Sequence, residues 1–146
     1  MLTITFEPFK NNLLVLIDYK EASDVLYEYI IESGELKKLL SNQMVNFGAG
    51  HTFAVSPHDS TEFIIGHSVN FKKWNYTNLK EQKVGGGYHV DIEFLAYDPV
   101  DTSKIYMACH GGIYISNDGG LTWNNKSNGL GVAEVMGMDV SESDPN

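Results

Sequence analysis

Apolar and polar residues alternate in short runs along this chain, and turn residues break the runs at regular intervals. Leu13–Ile17, Val25–Ile31 and Glu35–Leu40 read as three strands, with Glu32-Ser33-Gly34 as the turn between the last two. Ala22, Val25, Leu26 and Tyr29 also have helical spacing, but the run Tyr27-Glu28-Tyr29-Ile30-Ile31 is rich in strand formers and favours strands. Further along, Ala54-Val55-Ser56-Pro57 leads into Phe63-Ile64-Ile65, and Ala96-Tyr97-Asp98-Pro99 leads into Ile105-Tyr106-Met107. Each reads as a strand, a Pro/Asp turn and a second strand. The pattern predicts an all-β fold.

Two more alternating stretches, Ile105–Cys109 and Gly112–Ile115, precede the octapeptide Ser116-Asn117-Asp118-Gly119-Gly120-Leu121-Thr122-Trp123. Asp-Gly and Gly-Gly are strong hairpin signals because glycine takes positive φ without a steric penalty. The Asp118 carboxylate can accept backbone N–H bonds in its own turn, and Ser116 and Thr122 can tie the two flanks through their hydroxyls. Trp123 offers a large apolar anchor. Asp118 therefore reads as a turn brace and not as a catalytic acid. The octapeptide resembles the Asp-box, or BNR repeat, of β-propellers such as sialidases, sortilin-type receptors, xyloglucan-cleaving glycosidases and secreted bacterial propellers. The resemblance implies a structural box of Ser116, Asp118, Gly120, Thr122 and Trp123 on the outer part of a blade, and a secreted or cell-surface protein.

The unit recurs. Pro57 and Pro99 are 42 residues apart, as are Asp59 and Asp101, and a third copy begins at Met138-Asp139-Val140. A period of about 40–45 residues with four short strands is that of a propeller blade. The expected division is a divergent N-terminal blade or outer strands over 1–50, a degenerate blade over 51–90, an Asp-box blade over 91–135 and the first strand of another over 136–146. Ser68, Asn70 and Trp74 suggest a shortened box in the second unit. The expectation is thus a partial propeller of about three blades, where closed propellers use about four to eight. Its partners would be the remaining blades of a longer protein, or other copies of the chain.

Composition narrows the functions. The chain is 42% hydrophobic and carries a net charge of −9. That charge argues against nucleic acid and anionic membrane surfaces as partners, and no stretch is long enough to insert in a membrane as a helix. All ten basic residues are lysines, so the arginine triad of a sialidase cannot come from these residues. Cys109, the single cysteine, lies in an alternating strand and reads as a buried small hydrophobe.

Candidate chemistry gathers upstream of the box, in Gly85-Gly86-Gly87-Tyr88-His89-Val90-Asp91-Ile92-Glu93. Strict alternation would put His89, Asp91 and Glu93 on one face and Val90, Ile92 and Phe94 on the other. The glycines would let the backbone turn sharply or let a ligand approach closely, and Tyr88 would offer an exposed platform. His110, at the end of the next strand, should come near His89 or Asp91. His89, Asp91 and His110 would suit Zn²⁺, and Asp91 with Glu93 and carbonyls would suit Ca²⁺. A solvated wall without a ligand is the plain alternative. Two function classes follow: a non-catalytic binding or scaffold propeller engaging carbohydrate or protein, and a glycoside hydrolase resembling xyloglucanases, with Asp91 and Glu93 as acid and base.

Overall fold

A computed structural model describes residues 2–7, 10–17, 25–41, 51–67, 70–75, 77–78, 80–131, 135 and 137–140. The chain is all-β. The first sheet runs β1 (Leu2–Glu7), β2 (Asn12–Ile17), β3 (Val25–Ile30), β4 (Glu35–Ser41). The second runs β5 (His51–Val55), β6 (Glu62–His67), β7 (Asn70–Asn75), β8 (Lys80–Gln82). The third runs β9 (Ile92–Tyr97), β10 (Ile105–Cys109), β11 (Gly112–Ser116), β12 (Asn124–Asn125). Each is an antiparallel meander of four strands in chain order, an arrangement consistent with a partial propeller-like fold.

The strands expected near the N-terminus are present as β2, β3 and β4, and the helical reading of Val25–Ile30 is not adopted. Gly34 closes the β3–β4 turn with φ 71°, its N–H donating to the Ile30 carbonyl at 2.8 Å. Residues 18–24 lie outside the described set. So does 141–146; of the expected fourth unit, 137–140 are described and carry no strand.

The second sheet is the middle layer. One of its faces meets the first sheet, with Phe53, Val55, Phe63, Ile65 and Trp74 packed on Leu14, Leu26 and Leu39. The other meets the third sheet, with Ile64 and Phe71 packed among Ile92, Leu95, Tyr97, Ile105, Met107, Cys109, Tyr114 and Trp123. Burial on both faces explains why β6 reads Phe63-Ile64-Ile65 without a polar break. Gly66 allows the close approach: a Cβ there would stand 2.6 Å from Ile92 Cγ2.

The 42-residue offset runs through the register of both sheets. Val55 pairs with Phe63 as Tyr97 pairs with Ile105; Phe63 pairs with Trp74 as Ile105 pairs with Ser116; Lys73 pairs with Gln82 as Ile115 pairs with Asn124. The turns match as well. Ser56 Oγ accepts from His58 and Asp59 N–H groups, and Asp98 Oδ1 from Val100 and Asp101. Asp59 then accepts from Thr61, and Asp101 from Ser103, through both backbone and hydroxyl.

This register corrects the shortened box. Ser68 and Val69 lie outside the described residues, and Asn70–Asn75 is β7 itself. The counterpart of Ser116 is Trp74, so the matching turn follows Trp74 instead of ending on it. There Asn75 braces the chain: its Oδ1 accepts from Thr77 and Asn78 N–H groups at 3.0 and 3.2 Å, and its Nδ2 donates to Thr61 Oγ1 at 2.7 Å. An asparagine can brace such a turn because its side chain mimics a backbone turn.

Candidate functional site

The octapeptide behaves as its residue types require. Asp118 Oδ1 accepts from Ser116 Oγ at 2.8 Å and from the N–H groups of Leu121 and Thr122 at 3.0 and 2.8 Å. Its Oδ2 accepts from Thr122 Oγ1 at 2.6 Å. Ser116 Oγ, fully buried, also accepts from Gly120 N–H at 2.8 Å. The bonds from Thr122 foremost, and from Ser116, hold the Asp118 carboxyl down at about 2. Both oxygens are engaged within the turn, so Asp118 serves as its brace.

The turn also grips the sheet before it. Trp123 meets Phe71 of β7 edge to face at 5.2 Å and Tyr88 at 5.8 Å. Gly85 N–H donates to the Gly120 carbonyl at 2.9 Å, and a Cβ on Gly85 would stand 1.7 Å from the Leu121 carbonyl oxygen. On the other side, Gly119 N–H donates to the Ser103 carbonyl at 2.7 Å. This corrects two expectations. Gly85 admits the octapeptide and not a ligand, although Gly86 and Gly87 have open space around them. Tyr88 is no exposed platform: it is half-buried on Trp123, and its hydroxyl accepts the Phe71 N–H at 3.0 Å. Burial raises its phenol pKa.

Beyond Tyr88 the chain departs from strict alternation. β9 begins at Ile92, so His89 and Asp91 precede the strand. Asp91 has φ 59°, one of two left-handed residues other than glycine among the described residues. The pairing then slips: Ala108 faces Phe94 but Cys109 faces Ile92, leaving Glu93 as a bulge. In the second sheet the counterpart pair, His51 and His67, is regular. The buried set is accordingly Ile92, Leu95 and Tyr97, not Ile92 with Phe94, and Val90 stands 41% exposed.

The two irregularities converge on one ring. His110 occupies the tight β10–β11 turn, its N–H donating to the Asp91 carbonyl at 3.2 Å. Its Nδ1 lies 3.2 Å from Asp91 Oδ2 and its Nε2 3.5 Å from Glu93 Oε1. All three side chains are about a third exposed. Thus His110 is brought to Asp91, as expected, and also to Glu93, which alternation puts on the same face as Asp91. His89 is exposed and packs on Gly111, where a Cβ would stand 2.2 Å from its own. The expected metal set of His89, Asp91 and His110 does not form: among the described residues no three His, Cys, Asp or Glu side chains are grouped to hold an ion. Cys109 is fully buried, and burial raises its thiol pKa, so it is the small core residue expected.

One polar group escaped the sequence reading. Glu62 Oε1 lies 2.9 Å from Lys73 Nζ, and Glu62 Oε2 accepts from Gln82 Nε2 at 3.2 Å, on the face turned to the third sheet. Tyr97 lies beside it with a buried hydroxyl that makes no hydrogen bond among the described residues. Burial, and then the Glu62 charge, raise the Tyr97 pKa. The register that sets Ile64 opposite Lys73 carried the signal, since it turns Lys73 toward the third sheet.

No protein-family model matches the chain, and no curated protein matches it.

Proposed function

We propose that this chain is a binding or scaffold segment of an Asp-box β-propeller on a secreted or surface protein, engaging carbohydrate or protein. The observation that carries the reading is the contrast between two acidic positions. Asp118 is wholly used by its own turn. Asp91 and Glu93 are held at an exposed sheet end, one by left-handed backbone and one by a bulge, on either side of His110. Irregular backbone placed beside a polar cluster is how sheets aim side chains at ligands. The site offers two carboxylates as acceptors for hydroxyl or amide donors, with the imidazole between them as their orienter.

Nuclear magnetic resonance titration with neutral oligosaccharides and with peptides tests this. Shifts at residues 89–93 and 110–111 that vanish in Asp91→Asn/Glu93→Gln are expected. Absence of shifts with every probe at millimolar concentration overturns the reading. Release of reducing ends from a polysaccharide, lost in the same variant, would establish the glycoside hydrolase reading instead. Both carboxylates sit on one imidazole, which gives no support to one acting as acid while the other acts as base across a glycosidic bond.

A further inference from the structure

We infer that Asn128 is a site of spontaneous modification, where the side-chain amide is lost and the link to Gly129 is rerouted in part through an isoaspartyl bond. Asparagine or aspartate followed by glycine is the pairing most open to this chemistry, because a residue without a side chain leaves its amide nitrogen uncovered. The chain holds one pair of each kind, Asn128-Gly129 and Asp118-Gly119. The fold treats them oppositely. At Asp118 both carboxyl oxygens are engaged within the turn, and the Gly119 N–H donates to the Ser103 carbonyl at 2.7 Å. Electrophile and nucleophile are both held there. At the other pair, Leu130 N–H donates to the Ser127 carbonyl at 3.0 Å and Gly129 has φ 88°, so Asn128 and Gly129 are the two central residues of a tight turn with left-handed backbone at the second. Both are exposed, and a Cβ on Gly129 would meet nothing within 4 Å. Neither the Asn128 amide nor the Gly129 N–H makes a hydrogen bond among the described residues.

The step needs only hydroxide and water. The Gly129 nitrogen gives its proton to hydroxide and bonds to Asn128 Cγ. The bond from Cγ to Nδ2 breaks, and ammonia leaves with a proton from water, which restores the hydroxide. Water then opens the five-membered imide. Cleavage at the side-chain carbonyl gives aspartate, and cleavage at the main-chain carbonyl gives isoaspartate. Nothing is oxidised or reduced: amide and water become carboxylate and ammonium. The consequence falls on the edge of the third sheet. Ile113 N–H donates to Ser127 Oγ at 2.9 Å, and Lys126 N–H donates to the Ile113 carbonyl at 2.8 Å, so the turn is tied to β11. An isoaspartyl link adds a methylene to the backbone between Ser127 and Leu130, which breaks the bond closing the turn and loosens Ser127 from Ile113.

The test holds the intact, folded chain at mildly alkaline pH and follows every asparagine by peptide mass spectrometry, with an assay for isoaspartate. Acid and isoaspartate should accumulate at Asn128 ahead of every other asparagine. Asn128→Gln, on the same exposed position, should keep the melting temperature and abolish the conversion. Asp118 should stay unmodified until the chain is unfolded in urea, where isoaspartate should appear there too. In the converted protein, amide exchange at Ile113 should quicken. An intact Asn128 in the folded chain, with conversion only in urea, overturns the site. Isoaspartate forming at Asp118 of the folded chain at the same pace overturns the contrast between the two turns. Unchanged exchange at Ile113 after full conversion overturns the loosening.

Discussion

The second and third sheets share one register at a 42-residue offset, yet they are held together by different chemistry. Where the third sheet has Ser116 and Trp123, the second has Trp74 and Glu81. Trp123 is buried between sheets, whereas Glu81 is exposed and pairs with Lys72 at 3.2 Å. Where the third uses Asp98 to cap its first turn, the second uses Ser56. Where the third bulges at Glu93 beside His110, the second pairs His51 with His67. The lesson is that hydrogen-bonded register can stay constant while the packing anchors, the titratable braces and the polar site all change. Register depends on backbone and on the inward apolar positions; the remaining positions of each sheet are free to differ.

The sharpest break in this comparison is at the anchor. Trp123→Ala should cost about 3–5 kcal/mol in denaturant unfolding, while Glu81→Ala at the matching position should stay within about 0.5 kcal/mol. Equal losses would mean that the two turns carry equal loads after all. Next is the glycine that lets the sheets meet. Gly66→Ala puts a methyl 2.6 Å from Ile92 and should cost about 1–3 kcal/mol, although the matching position in the third sheet is already Ala108. Ala108 alternates with Met107 and Cys109, which pack toward the second sheet, so its methyl is turned away from that sheet.

The braces differ in their response to acid. Asp118 is held at about 2, and so is Asp98, where partial burial pulls upward but the N–H of Asp101 and the hydroxyl of Tyr106 outweigh it. Both folded values lie below the unfolded one of about 3.9. Their stabilisation is therefore complete above about pH 4 and is lost as pH falls through about 2. Asn75 and Ser56 cannot titrate in this way. Amide exchange between pH 4 and 2 should accelerate at 116–123 more than at 74–81, and Asp118→Asn should remove the difference. An acid response of equal size in both turns would refute the assignment. The smallest effect is at the rim: His110→Ser, which copies the residue at position 68, should change stability by no more than about 0.5 kcal/mol, since its contacts with Asp91 and Glu93 lie in partly solvated surroundings. A larger loss would mean that the imidazole holds the bulge in place.

Much of the fold was legible because turn chemistry is local. Pro57, Asp59, Pro99 and Asp101 announced two turns of matching chemistry 42 residues apart, and the octapeptide announced its own hydrogen bonds before any coordinate. The shortened box was misplaced because Ser68, Asn70 and Trp74 imitate its spacing while strand register puts the matching turn after Trp74. Tyr88 was misread because an aromatic beside three glycines looks accessible in sequence, and only the docking of Trp123 covers it. The site was half legible. The residue types were visible, and His110 was expected near Asp91, but alternation cannot foresee a bulge.

The sequence by itself determined the all-β class and the turn bonds of Asp118, because each depends on residues within a few positions of one another. Tertiary structure decided which glycine opens space and which admits a neighbour, that the second sheet is buried on both faces, and that two carboxylates share one imidazole. Those features need contacts between strands far apart in the chain, and a one-residue slip at Glu93 is enough to redirect them.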